Sequence, residues 1–321
     1  MDVLADALAV AGVRGTVAVR IDGGRDWAVS WAQNADAVLY AVTAGSAWLT
    51  VAAQGDGGTE RVELLPGDVV LLPTGAAHSI AGEPDRAPRK CDLALIDELR
   101  RTGEALRLGT GAPRTHLLGA SYRHDRVVSL HVFALLPPIV HIRGNRANTA
   151  LDGTVRLLTE ETADPRPASA VVLDRLVDVV LVQLLRCWLS GHAELLRGSW
   201  LGALADPLVA EAMTLMHREP ERAWTTQSLA RALAVSRSTL TRRFQGATGQ
   251  SPGGYLTQWR MNLAARRLRD SDDTVEAVAR AVGYTSVHAF NRAFSRARAM
   301  PPARFRRDSR DTRVSVADRP E

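Results

Sequence analysis

Apolar and polar positions along the chain follow two periods, and the change between them divides the molecule. Over roughly the first 100 residues, the apolar runs GTVAVRI, DWAVSWA, AVLYAVT, SAWLTVA, RVELL and DVVLLP are separated by breaks at Gly23-Gly24, Gly45, Gly57-Gly58 and Pro66-Gly67. Runs of this length and spacing predict the strands of a sandwich or small barrel. Pro137-Pro138 forbids a continuing helix there and marks a turn. From Ala168 the period lengthens: Leu173, Val177, Val180, Leu184 and Cys187 recur at intervals of four and three, the spacing of a helix seam. Asp164-Pro165-Arg166-Pro167 marks the boundary before it, and Asp206-Pro207 opens a segment that is helical in pattern to about Arg307. Asp308 to Glu321 is polar and is expected to be a flexible tail. The fold class predicted is therefore an α+β multidomain chain: a strand-rich domain over 1–165, connecting helices over 166–207 and an all-α domain over 208–307.

Inside the helical stretch one phrase is written twice. TLTRRFQGATGQSP at 239–252 and AFNRAFSRARAMPP at 289–302 share a pattern that maps Leu240, Phe244 and Pro252 onto Phe290, Phe294 and Pro302, each fifty positions on. In TTQSLARALAVSRSTLTRRFQGATG, Leu229, Ala230 and Leu233 make one apolar face, and Val235-Ser236 breaks the helix. Ser236 then caps a second helix that turns Leu240 and Phe244 inward. TVEAVARAVGYTSVHAFNRAFSRA repeats this with Val278, Ala279 and Val282, a turn at Gly283, a cap at Ser286, and Phe290 and Phe294 inward. Between the copies, Ser251-Pro252 begins a long helix through GGYLTQWRMNLAARRLRDS. The prediction is two helix-turn-helix units set apart by one rigid helix.

The second helix of such a unit enters the major groove, where its N-terminal half reaches base edges. With the apolar positions inward, the first unit offers Arg237, Ser238, Thr239, Thr241, Arg242 and Arg243, and the second offers Ser286, Val287, His288, Asn291, Arg292 and Arg296. Arg grips guanine or phosphate and Asn pairs with adenine. Charge placement agrees: Leu208 to Arg310 holds 18 Arg against 8 Asp and Glu, so this segment is +10 while the whole chain is +5 and the remainder −5. A segment of that sign seeks a polyanion. Composition excludes other classes. At 46% hydrophobic and 23% charged the chain is globular, and no apolar run reaches the length of a membrane span. Cys91 and Cys187 are too few for a disulfide framework, and MDVLADALAV lacks the features of a signal peptide, so the expected location is the cytoplasm.

At these residues the sequence resembles a known family. SLARALAVSRSTLTRRFQGATGQSPGGYLTQWRMNLAARRL and VEAVARAVGYTSVHAFNRAFSRARAMPPARFR are similar to the DNA-binding domain of AraC/XylS-type transcription regulators. The resemblance implies that Ser238, Thr239 and Arg242 contact bases from the first unit, and Val287, His288, Asn291 and Arg292 from the second. Val287 departs from a polar reader and could touch only a thymine methyl. The resemblance also implies double-stranded DNA and RNA polymerase as partners, a small-molecule effector, and pairing through the connecting region.

GDVVLLPTGAAH at 67–78 resembles the second conserved motif of the cupin barrel, with His78 in place and Gly82 where its Asn would stand. The His-x-His and Glu that complete a metal site in enzymatic cupins are missing from LYAVTAGSAWLTVAA. The strand-rich domain is thus expected to be a cupin-like β-barrel that senses a ligand, against the alternative of a metal-dependent cupin enzyme fused to a DNA-binding segment. Zinc held by His78, Cys91 and His116 is one reading of its chemistry, since thiolate and imidazole suit that ion; His78 hydrogen-bonded at a strand end and Cys91 merely buried is the other. His124, His131 and His141 are further candidates. The Cys that such regulators carry in the segment THLLGASYR is absent. Trp31, Tyr40 and Trp48 could line a cavity in the barrel or simply pack its core. The seam Leu173 to Cys187 is expected to form a homodimer, the alternative being packing against its own barrel.

Overall fold

The computed structural model of the chain describes residues 3–34, 36–52, 58–123, 133–144, 149–164, 166–192, 198–199 and 201–317. Two compact units form, one from Arg14–His124 and Leu136–Gly191, the other from Met1–Val13, Asp125–Leu135 and His192–Glu321. His124 and His131, considered above as ligands, lie outside the described residues.

The strand-rich unit contains β1 (Arg14–Arg25), β2 (Ala28–Trp31), β3 (Ala37–Ala44), β4 (Ala47–Ala52), β5 (Thr59–Leu64), β6 (Val69–Leu72), β7 (His78–Ala81), β8 (Arg89–Lys90), β9 (Ala105–Leu108), β10 (Thr110–Arg123) and β11 (Val140–Ile142). They form a six-stranded sheet, β11-β6-β3-β10-β1-β9, and a five-stranded sheet, β5-β4-β7-β2-β8. Alternate residues of the facing strands, among them Val19 and Ile21 of β1, Tyr40 and Val42 of β3 and Leu49 and Val51 of β4, fill the space between the sheets. The other side of the six-stranded sheet is apolar too, with Leu39, Ala41, Leu118, Ala120 and Tyr122 all buried. A sheet buried on both faces reads as continuous apolar runs, which is why AVLYAVT does not alternate.

What covers that second side is α3 (Thr149–Ala163) and α4 (Ser169–Gly191). Here the structure corrects the dimer assignment. Val177, Val180 and Leu184 are fully buried within the unit; Val177 Cγ1 would sit 2.5 Å from a Cβ on Gly15, the Val177 carbonyl accepts from Tyr122 Oη at 2.8 Å, and Asp178 accepts from the Gly15 amide at 2.8 Å. The apolar seam is spoken for by its own sheet.

Three further expectations change. Gly23-Gly24 lies inside β1 at a register shift rather than in a turn, and glycine is required there since a Cβ at Gly24 would meet the Thr110 carbonyl at 2.4 Å. A helix, α2 (Leu93–Thr102), interrupts the strands; Asp92 caps it through the Ala94 amide and Gly103 ends it at φ 73°. The polar stretch expected as a tail from Asp308 is helical to Ala317, within α11 (Pro302–Ala317).

The helical unit holds α1 (Val3–Val10), α5 (Pro207–Arg218), α6 (Thr226–Ala232), α7 (Arg237–Thr248), α8 (Pro252–Asp270), α9 (Val275–Ala281), α10 (Val287–Arg298) and α11. The first residues, expected in the domain over 1–165, pack instead with α5 and α8. α1, VLADALAV, buries Val3, Leu4, Ala7, Leu8 and Val10 and leaves Ala5 and Ala9 exposed. Side-chain oxygens of Asp206, Thr225, Ser236, Ser251, Thr274 and Ser286 each accept a backbone N–H at the start of the helix that follows.

Candidate nucleic-acid interface and sensor cavity

Each doubled phrase folds into a helix-turn-helix: α6 and α7 form one, α9 and α10 the other. In the first turn Ala234 takes the left-handed conformation at φ 53°; Gly283 does so in the second at φ 81°. The roles of Ala and Gly reverse at the far ends of the second helices, where Gly249 closes α7 at φ 73° and Ala299 closes α10 at φ 57°. Leu240 and Phe244 anchor α7; Phe290 and Phe294 anchor α10, where Phe294 meets Phe290 at 5.6 Å and Phe305 of α11 at 5.4 Å between ring centroids. These anchors leave Arg237, Ser238, Arg242 and Arg243 exposed on α7, with Thr239 and Thr241 half-buried. On the second unit Ser286, His288, Arg292 and Arg296 are exposed, and Val287 and Asn291 are half-buried.

The arginines are not equivalent. Arg243 is tied to Asp206 by two bonds, Nε to Oδ2 at 2.9 Å and Nη2 to Oδ1 at 2.6 Å. The same carboxylate caps α5. Among the described residues no ion pair or hydrogen bond engages Arg237, Arg242, Arg292 or Arg296 through its side chain. Asn291 Oδ1 is shielded within the protein and has no donor among the described residues.

Beneath α7, a buried cluster that the sequence reading missed sets the position of α8. The His217 ring stacks on Trp259 at 3.6 Å between centroids. Its Nδ1 bonds Asp6 of α1 at 3.2 Å, and its Nε2 bonds the Tyr255 hydroxyl at 2.7 Å. Burial lowers the His217 pKa to about 4, with the Asp6 carboxylate opposing that shift. The neutral imidazole therefore donates from Nδ1 and accepts at Nε2, and burial also pushes the Tyr255 phenol upward. No sequence signal marks this cluster, because its members come from three helices far apart in the chain.

In the strand-rich unit, His78 and Tyr40 face the core together. His78 Nδ1 donates to the Ala76 carbonyl at 2.7 Å, so Nε2 accepts from the Tyr40 hydroxyl at 2.8 Å. Burial lowers the His78 pKa. Trp31 stacks on the imidazole at 5.2 Å. With one ring nitrogen protonated and the lone pair of the other occupied, His78 does not fit a metal ligand. His116 is placed elsewhere: it pairs with Asp22 at 2.8 Å on the sheet face opposite Leu117, which points to the core. The expected set His78, Cys91 and His116 is not brought together, and the described residues contain no group of three His, Cys, Asp or Glu able to hold a metal. His141 is bound to Asp68 at 2.9 Å.

Trp31 and Cys91 do border a cavity of about 490 Å³, with Ala32, Lys90 and Asp92. Burial raises the Cys91 thiol pKa, so the cavity holds a protonated sulfur. Tyr40 packs behind Trp31 at 5.7 Å. Trp48 does not join them, because Ala47, Leu49 and Val51 take the core side of β4 and alternation turns Trp48 outward.

A double-sheet domain with this motif, preceding paired helix-turn-helix units with uncommitted arginines, defines a DNA-binding regulator with a cupin domain. Comparison with known proteins gives the family. Residues 2–190 match the family model described as Cupin, and 229–308 match that described as Helix-turn-helix domain. An AraC-like transcription regulator of Streptomyces lividans is 34% identical over 96% of this chain and 98% of its own. The transcriptional regulator AlkR of Acinetobacter baylyi is 28% identical over 88% of this chain and 92% of its own. The DNA-binding domain of AdpA, solved with a target DNA, is 33% identical over 34% of this chain and 97% of that one, at a TM-score of 0.33. The chain belongs to the AraC-like transcription regulators and is a helix-turn-helix DNA-binding protein of that family. No helix among its described residues is long and apolar enough to cross a membrane.

Proposed function

We propose that the protein is a cytoplasmic, effector-responsive regulator whose α7 and α10 read two neighbouring major-groove segments of double-stranded DNA, with no catalytic role. The observation that carries the reading is the pairing of two capped helices, which present Arg237 and Arg242 on one and Arg292 and Arg296 on the other with no carboxylate engaging them among the described residues. In the first unit Arg237, Ser238, Thr239 and Arg242 are the readers. In the second they are Ser286, Val287, His288, Asn291, Arg292 and Arg296. Asn291 can turn outward to an adenine without breaking a bond at Oδ1 to any described residue. The barrel cavity beside Trp31 and Cys91 receives the effector, and the DNA-bound protein acts on transcription through RNA polymerase. The working division is a sensor over 14–165, connecting helices to 207 and the reader over 208–307.

A homodimer remains the assembly proposed, on a different surface from the seam. Val172 and Val179, 42% and 43% exposed, lie seven residues apart on α4, so they share a face that a second copy can cover. Fluorescence anisotropy of the full chain on genomic fragments tests the main reading. Binding should be tight to a discrete site and weaken with salt; equal affinity for a scrambled site would reduce the protein to an unspecific DNA binder.

A further inference from the structure

The loop 219–225, which joins α5 to α6 ahead of the first helix-turn-helix, is stiffened by its own side chains. Glu219 accepts from Arg222 Nη1 at 2.8 Å, the Arg222 guanidinium lies 4.0 Å from the centre of the Trp224 ring, and Trp224 Nε1 donates to the Glu219 carbonyl at 3.1 Å. Three successive carbonyls of this loop meet the rest of the domain. Arg260 of α8 takes two of them in a fork: Nε donates to the Pro220 carbonyl at 2.6 Å and Nη2 to the Arg222 carbonyl at 2.8 Å. The third borders the turn of the second unit, where a Cβ on Gly283 would stand 2.6 Å from the Glu221 oxygen and 2.7 Å from Arg260 Nη2. The matching point of the first unit carries Ala234 at φ 53°, so the left-handed backbone alone does not demand glycine. What demands it is the close approach of the loop and Arg260. Past the turn, the Arg260 guanidinium lies 5.9 Å from the ring centre of Tyr284, within reach of a cation–π contact. Tyr284 in turn meets Phe290, an anchor of α10, edge-on at 5.7 Å.

We propose that Arg260 is a positioning residue: it locks the entry to the first helix-turn-helix against the turn of the second, and so sets which spacing of two DNA boxes the protein accepts. α8 sets the distance between the units. Rotation of one unit against the other about α8 is resisted best by contacts made away from its axis, and the long Arg260 side chain makes them. Its planar fork holds two carbonyls at once, which a single ammonium does not. DNA is sensitive to that rotation, because each base pair turns a box by about 35° around the duplex. A rigid link between two binding modules has a narrow optimum of spacing, whereas a loose one accepts several. Arg260 exerts this effect through protein atoms alone and touches no base. The inference rests on the reading of α7 and α10 as the readers of two boxes.

The probes are a duplex selected by the full chain from a random library, derivatives with two base pairs added or removed between its boxes, and one with a single box scrambled. In anisotropy titrations the wild type should prefer the selected spacing by roughly tenfold or more. For Arg260→Lys that ratio should fall to about threefold or less, while affinity for the one-box duplex stays within about twofold of wild type. Gly283→Ala takes a backbone conformation that Ala234 already adopts and pushes the turn off the loop. It should likewise widen or shift the accepted spacing, which keeps the test valid if Arg260→Lys folds poorly. A spacing preference unchanged in both variants would overturn the proposal and leave the two-box reading standing. So would an affinity loss equal at every spacing and accompanied by a lowered melting temperature, the mark of a purely structural role. A selected duplex that holds one box only would end the two-box reading, and this inference with it.

Discussion

Arg242 and Arg243 are sequence neighbours with different chemistry, and the difference can be measured. Arg242 is exposed with no carboxylate partner among the described residues, whereas Arg243 is held by Asp206. Arg242→Ala is expected to cost about 1–3 kcal/mol of binding and to relax sequence preference in one operator box. Arg292→Ala should do the same in the other. Arg243→Ala should leave base preference intact and lower stability by less than about 1 kcal/mol, as for a partly exposed pair. Anisotropy titrations on operators mutated box by box, with urea unfolding of the same variants, separate the two outcomes. The αL positions offer a second residue-scale test. Ala234 and Ala299 adopt the conformation that Gly283 and Gly249 adopt at the matching points. Replacing either alanine with glycine should therefore raise stability by up to about 1 kcal/mol in urea melts, since the steric strain relieved exceeds the entropy lost. A loss of stability in both variants would show that these turns carry no strain.

At the scale of elements, α4 and α1 each depart from the sequence pattern for a packing reason. The α4 seam lies against an apolar sheet face, so Val180→Asp should unfold the strand-rich unit by placing a charge where no water reaches. Val172→Arg with Val179→Arg should leave circular dichroism unchanged and convert a sedimenting dimer to monomer. If the double variant stays dimeric, another surface pairs the chains. For α1, α5 and α8, the joint is the His217 cluster. A neutral His217 with a pKa near 4, against about 6.5 in the unfolded chain, binds its proton less readily when folded. The stability it supports is complete above pH 6.5 and is lost as pH falls toward 4, to an extent of at most about 3 kcal/mol. His217→Gln should flatten that limb of the stability–pH curve, measured by urea unfolding between pH 7 and 4; an unchanged slope would place the titration elsewhere.

For the whole molecule, the informative quantity is the spacing of the two boxes. One helix, α8, separates the helix-turn-helix units, so boxes read from one face of the duplex should be centred about 10 bp apart. Inserting about 5 bp between them rotates one box to the opposite face, and only one unit should then remain engaged. Footprinting would show protection shrinking to a single box. Full protection of both boxes in the 5-bp insertion would mean that the units move independently, whatever their individual contacts.

Much of this was legible along the chain. The fifty-residue echo of Leu240, Phe244 and Pro252 determined the paired units, because helix caps and inward aromatics act over a few residues and leave a local signature. The six apolar runs from GTVAVRI to DVVLLP located strands for the same reason. Face and partner were not legible. Val180 could have met a second copy or its own sheet, and period alone is silent on which; the apolar outer face of β3 and β10 decided it. His116 and His78 both looked like ligands, yet the pleat sends one to Asp22 and the other to Tyr40. Asp6, His217 and Trp259 became neighbours only through packing across more than 200 residues. Hydrogen-bonding capacity is a property of the side chain and can be read from sequence, while which capacity is already spent, as for Arg243, or unspent among the described residues, as for Arg242, is fixed by distances that only the folded chain sets.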